Sequence, residues 1–208
     1  MPKEKTLDDL FLDGLKDIYH AEKQALRALQ KMAKAAHADE LRDAFVTHRE
    51  ETGHQIERLE QVFEQIGKPA RGKPCQAIQG LVEEATEIME EYEDSPAHDA
   101  ALIGAAQAQE HYEIARYGTL KTWAAQLGYD EAAQLLGETL EEEKKTDGLL
   151  TQLAEASLNE EAEDDEDEDE DDGEEGEDDE GEDEDDADEE PAAKAPPKPA
   201  PKSRAKKG

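Results

Sequence analysis

The chain has 208 residues and a formal net charge of −35. That balance argues against direct nucleic-acid binding, which needs Lys and Arg to neutralise phosphates, and it suits a soluble protein that attracts cations. Cys75 is the only cysteine, which excludes an intrachain disulfide and fits a reducing compartment.

The N-terminal "MPKEKTLDDLF" lacks the apolar core of a secretory signal. No run approaches the ~20 apolar residues of a membrane span, so a cytoplasmic location without membrane attachment is expected. Thr6, followed by Asp8 and Asp9, reads as a helix start: a capping hydroxyl with acids in the first turn. Leu10, Leu15, Ile18, Ala25, Leu29 and Met32 then recur at a helical period, predicting a helix over about 7–36. A second helix over about 39–66 carries Leu41, Phe45, Thr52, Leu59, Phe63 and Ile66, and "GKPARGKPC" ends it. A short helix over about 76–92 carries Ile78, Leu81, Val82, Ala85 and Ile88. Ser95-Pro96 predicts the start of a long helix reaching about 127, closed by Gly128. Asp130 is the expected cap of a last helix to about 158.

No strand pattern is present. The order long, long, short, long, long describes an all-α bundle of four long helices with one crossover. The crossover is the segment 67–95, which contains the short helix and is long enough to run the length of the bundle. The bundle is assigned to residues 1–158. Residues 159–190 contain 26 acids and no base, and with almost nothing apolar to bury they are expected to form a disordered acidic tail. Residues 191–208 form a basic end rich in Pro, Ala and Lys.

Acidic residues recur near the midpoint of every long helix: Glu22 in the first, Glu51 with His54 in the second, Glu110 and Glu113 in the third, Glu143 and Asp147 in the fourth. Midpoints of antiparallel helices share a level, so these side chains can meet in one layer. Unpaired carboxylates inside a core are costly, and a pair of iron or manganese ions would offset that cost because such ions favour oxygen-rich sites. Glu22 precedes Glu51 by 29 positions and Glu113 precedes Glu143 by 30, so each half reads as a hairpin with a central Glu on each arm. The di-iron bundle pattern uses a lone Glu from two helices and Glu-x-x-His from the other two. Glu51-Thr52-Gly53-His54 matches it, whereas Glu143-Lys144-Lys145-Thr146 has Thr at the His position, with Asp147 one residue further on. Tyr19, Tyr112 and Tyr117 lie close enough in sequence to hydrogen-bond the ligands or pass an electron, although core packing is the simpler role for them. His37, His98 and His111 read as surface or packing residues.

The blocks "LKDIYHAEKQALRAL", "THREETGHQIERLEQVF", "GLVEEATEIMEE", "DAALIGAAQAQEHYEIARYGTLKTWAAQLG" and "ETLEEEKKTDGLL" occur in that order. Together they resemble the YciE/YciF family of ferritin-like proteins over nearly all of residues 6–158. The resemblance implies a ferritin-like four-helix bundle, a dinuclear metal centre, a homodimer and a link to stress responses. "EHYE" also resembles rubrerythrin, implying that Glu110 and Glu113 both reach the site. The family pattern reads as His-x-x-Glu-Thr, which adds His48 beside Glu51 as a ligand or supporting group, and "EEKxTD" carries over Glu143 and Asp147 without a second His. The expected metal set is therefore Glu22, His48, Glu51, His54, Glu110, Glu113, Glu143 and Asp147, with dioxygen or peroxide as the reaction partner. The alternative function is a non-catalytic, metal-stabilised helical stress protein acting through partner binding.

Overall fold

The computed structural model describes residues 4–158; the expected acidic tail and basic end lie outside the described residues. Five α-helices make up the bundle: α1 (Leu7–Ala35), α2 (Asp39–Gln65), α3 (Gln76–Glu91), α4 (His98–Gln126) and α5 (Asp130–Leu153), the last continuing into a π-helical turn, Ala154–Leu158. The described residues contain no strand. Helix α1 begins with a capping box, in which the Thr6 side chain accepts from the Asp9 backbone and the Asp9 carboxylate accepts from the Thr6 backbone.

Two expected starts move. Helix α4 begins at His98 rather than at Ser95-Pro96, because Ser95 lies in a turn where its hydroxyl accepts from the Ala97 N–H. Asp130 is the first residue of α5 rather than its cap; Tyr129 holds the cap position and makes no side-chain cap bond. Gly128, at φ +79, supplies the left-handed backbone that reverses the chain between α4 and α5.

Helix α1 pairs with α2 and α4 with α5, while α2 packs on α5, α1 on α4, and α3 lies across α1 and α4. Contacts between the ends show that neighbouring long helices are antiparallel. Phe11 and Leu15 from the start of α1 share an apolar cluster with Val62 and Phe63 from the end of α2, and Arg58 of α2 reaches Thr139 of α5. Asp17 of α1 meets Tyr112 and Arg116 of α4, and Gln107 of α4 meets Thr151 of α5. Helices α2 and α4 therefore run in the same direction, as a single crossover through α3 requires.

The apolar core is divided in two. One cluster contains Phe11, Leu15, Ile18, Leu59, Val62, Phe63, Tyr117, Leu120 and Leu136. The other contains Leu29, Met32, Leu41, Phe45, Leu102, Ile103, Ala106 and Leu150. Along each long helix the residues between the two clusters include buried polar groups: Glu22 on α1, His48, Thr52 and Gln55 on α2, Gln109, Glu110 and Glu113 on α4, and Glu143 and Thr146 on α5. Leu10, placed by its period on the inner face of α1, is half exposed, and Phe11 takes the buried position instead. No helix of the described residues is long and apolar enough to cross a membrane.

Candidate metal centre

Four side chains from three helices converge in the polar layer. One ligand-capable atom from each of His48, Glu110, Glu113 and Glu143 lies within 4.8 Å of all the others, and all four residues are buried. His48 Nε2 is 2.9 Å from Glu110 Oε1 and 3.7 Å from Glu143 Oε2. Despite the short distance, the ring N–H is not aligned for a hydrogen bond to Glu110. On its other side, His48 Nδ1 is 3.3 Å from Thr146 Oγ1 and 3.8 Å from Glu51 Oε2.

Glu22 joins the layer from α1. It is fully buried, and the Tyr117 hydroxyl donates a short hydrogen bond to its Oε1. Burial pushes the Glu22 carboxyl up to about 7, against the pull of the Tyr117 bond and the His48 charge. Burial and the Glu22 and Glu110 charges hold Glu113 well above the usual carboxylate range, and burial with the Glu113 and Glu22 charges does the same for Glu143. For His48, burial disfavours the charged ring, but the Glu110 carboxylate outweighs burial and raises it to about 10. The layer therefore shares more carboxylates than it has protein cations to balance.

The other expected ligands lie elsewhere. Glu51 is at the margin, with its side chain 30% exposed, between His48 and Lys145. The neighbouring His48 ring keeps its carboxyl low. His54 is exposed and stands outside the cluster. Asp147 turns towards α4, where it meets Gln107 and His111 at 3.2 Å each. The hairpin symmetry expected from the spacing of Glu22 and Glu51 is thus broken, since the first hairpin brings Glu22 and His48 inward. Of the tyrosines, Tyr117 alone bonds a carboxylate of the layer; Tyr19 bonds Glu60 and Lys23, and Tyr112 bonds Asp17 and Cys75. His98 is buried and stacks on His37, as a packing residue would, and His111 is exposed.

Thr146 and Gln55 are buried polar residues of this region that the sequence reading did not select. The available signal was the alternating three- and four-residue step of α2 and α5, which places 48, 52, 55 and 59 on one face and 139, 143, 146 and 150 on the other.

The chain has relatives among known proteins. The family described as "Domain of unknown function (DUF892)" matches residues 6–163. The chain belongs to this family. Protein YciF of Escherichia coli (strain K12) is 53% identical over 160 residues, covering 76% of this chain and 96% of that protein. The crystal structure of the E. coli stress protein YciF superposes with a TM-score of 0.72, covering 75% of this chain and 99% of that one. YcfI from Rhodopseudomonas palustris, for which a structural role has been suggested, is 45% identical with a TM-score of 0.69, covering 72% and 96%. A Xanthomonas campestris protein with 23% identity and a TM-score of 0.62 shares the fold. This DUF892 chain therefore has a helical bundle with a buried His/Glu cluster able to hold a metal ion.

Proposed function

We propose that the polar layer is a carboxylate-rich centre for two ions of iron or manganese, and that the protein handles dioxygen or peroxide under stress. One observation carries this reading. Glu22, Glu110, Glu113, Glu143 and His48 each keep at least one buried oxygen or nitrogen atom without a hydrogen-bond partner. A buried polar atom left without a hydrogen bond costs about 1–3 kcal/mol, and the one imidazole cannot balance four buried carboxylates, so a bound cation is the natural counterpart. The donor set, one imidazole with carboxylates, suits iron or manganese better than the thiolate-rich sets of structural zinc. His48, Glu110, Glu113 and Glu143 would hold the metal, and Glu22 adds the carboxylate a second ion needs.

Bound there, iron or manganese would supply reversible one-electron chemistry towards dioxygen or peroxide. The chain's own residues prepare the place. Tyr117 fixes one oxygen of Glu22 and leaves the other free, and Thr146 holds His48 through Nδ1, so that Nε2 faces the carboxylates. The two apolar clusters keep bulk water from the layer along the bundle axis. The stress assignment of E. coli YciF supports the setting, and a homodimer follows from the family resemblance as part of the same proposal.

The test is metal analysis of the purified protein followed by peroxide consumption. About two ions of iron or manganese per chain, with peroxide loss that disappears on chelation, is the expected result. A metal-free protein that takes up neither ion and melts at the same temperature in its presence overturns the reading. Metal binding that raises the melting temperature without any turnover would favour the non-catalytic alternative, for which the suggested structural role of the R. palustris relative speaks.

A further inference from the structure

The buried cluster is closed along the bundle axis by apolar packing on both sides, yet one of its members reaches a surface groove. Between α2 and α5 lies a groove of about 430 Å³ lined by Glu40, Asp43, Thr47, His48, Glu51, Lys145 and Thr146 among others. Of the cluster residues only His48 lines it; Glu110, Glu113 and Glu143 lie behind. His48 thus has two faces: Nε2 turns to Glu110 and Glu143, and Nδ1 turns to Glu51 and Thr146 on the groove side.

We infer that this groove is the route by which a divalent cation reaches the buried cluster, with Glu51 as its first ligand and His48 as the gate. The inference rests on the reading that the cluster holds metal. Three carboxylates, Glu40, Asp43 and Glu51, line the groove against Lys145 and the inward-facing His48 ring, so its lining is net acidic. A cleft lined by one sign of charge raises the local concentration of counter-ions and their rate of arrival. Glu51 is well placed to receive a cation, being part-exposed and 3.8 Å from His48. Lys145 Nζ stands 4.0 Å from Glu51 on an 80% exposed side chain. It is a tethered cation that an arriving ion can displace. Rotation of the His48 ring away from the layer would then open the polar wall between groove and carboxylates without disturbing either apolar cluster.

The experiment follows cobalt(II) loading of the metal-free protein by stopped-flow absorption, with final occupancy measured by equilibrium dialysis. Glu51→Gln is expected to load about tenfold more slowly, and Lys145→Ala about twofold faster, at wild-type final occupancy. These opposite signs cannot come from general destabilisation. A control that removes the same charge elsewhere, Glu87→Gln on α3, should load like wild type. The route is overturned if Glu51→Gln loads at the wild-type rate, or if the control slows equally. Loss of final occupancy in Glu51→Gln would make Glu51 a permanent ligand and overturn its entry role. Failure of the wild type to bind cobalt at equilibrium would remove the metal-site reading and the route with it.

Discussion

Glu113 is 1% exposed and feels the like charges of Glu22 on α1 and of Glu110 one turn earlier on α4. Without metal its ionised form meets burial and two like charges, with His48 as the nearest opposing charge. Glu113→Gln should therefore stabilise the metal-free protein at pH 8, by about 1 kcal/mol, because it removes one of the competing charges and nearly keeps the volume. The same change should weaken metal uptake at least tenfold, because it removes an anionic donor. Thermal denaturation and metal titration of the same sample check both signs. A substitution that raises stability while lowering binding marks a residue retained for its site rather than for folding.

Among the helices, α2 illustrates how far a tertiary contact can replace local signals. Its cap residue, Ala38, offers no side chain for the first turn. Just ahead of the helix, the Asp99 carboxylate of α4 accepts from the backbone N–H groups of His37 and Ala38 at 2.9 and 2.7 Å, which pins the turn that enters α2. Asp99→Ala is expected to cost about 1–3 kcal/mol, the usual loss when charge-assisted bonds to part-buried backbone donors disappear. Urea denaturation would show this as a lower midpoint with an unchanged slope. The elements themselves were legible in the sequence: apolar periods, Gly and Pro breaks and the Thr6 cap place the five helices to within a few residues. Their inner faces were legible only in part. On α2 the alternating step from Leu41 through Phe45, His48, Thr52 and Gln55 to Leu59 selects His48 for the interior and leaves Glu51 at the margin. Reading Glu-x-x-His as the unit favoured Glu51 and His54, because that motif ignores the helix's phase. On α5 the same phase buries Glu143 and Thr146 while Asp147 turns towards Gln107 and His111.

For the whole molecule, the divided core makes stability depend on pH. The Glu22 carboxyl is raised from 4.5 to about 7 in the fold, so the native state binds its proton more tightly than the unfolded chain does. Its contribution is present below about 4.5 and is lost as pH rises through about 7. His48, raised from 6.5 to about 10, has the same sign: its contribution is present below 6.5 and is lost as pH rises through about 10. The metal-free protein should thus melt at a lower temperature at pH 8 than at pH 5, by on the order of 5 °C. Manganese(II) should offset this loss, because metal ligands bind in their deprotonated forms. Melting curves across that pH range, with and without manganese(II), provide the check, and a metal-free melting temperature that rises between pH 5 and pH 8 would contradict the model of a charge-strained layer.

Composition and period alone determined that this chain is helical, that its four long helices carry acids at mid-length, and that a long link joins two hairpins. Those properties are local: helix propensity, capping, Gly and Pro breaks and residue spacing act within one element. Only the packed bundle decided which acids face one another. That choice depends on the rotation of each helix about its own axis, which the apolar clusters set by burying Phe11, Leu59 and Leu120 on one side of the layer and Leu41, Leu102 and Leu150 on the other. With the helices held in that rotation, His48 enters the layer, Glu51 remains at its mouth, and His54 points to solvent.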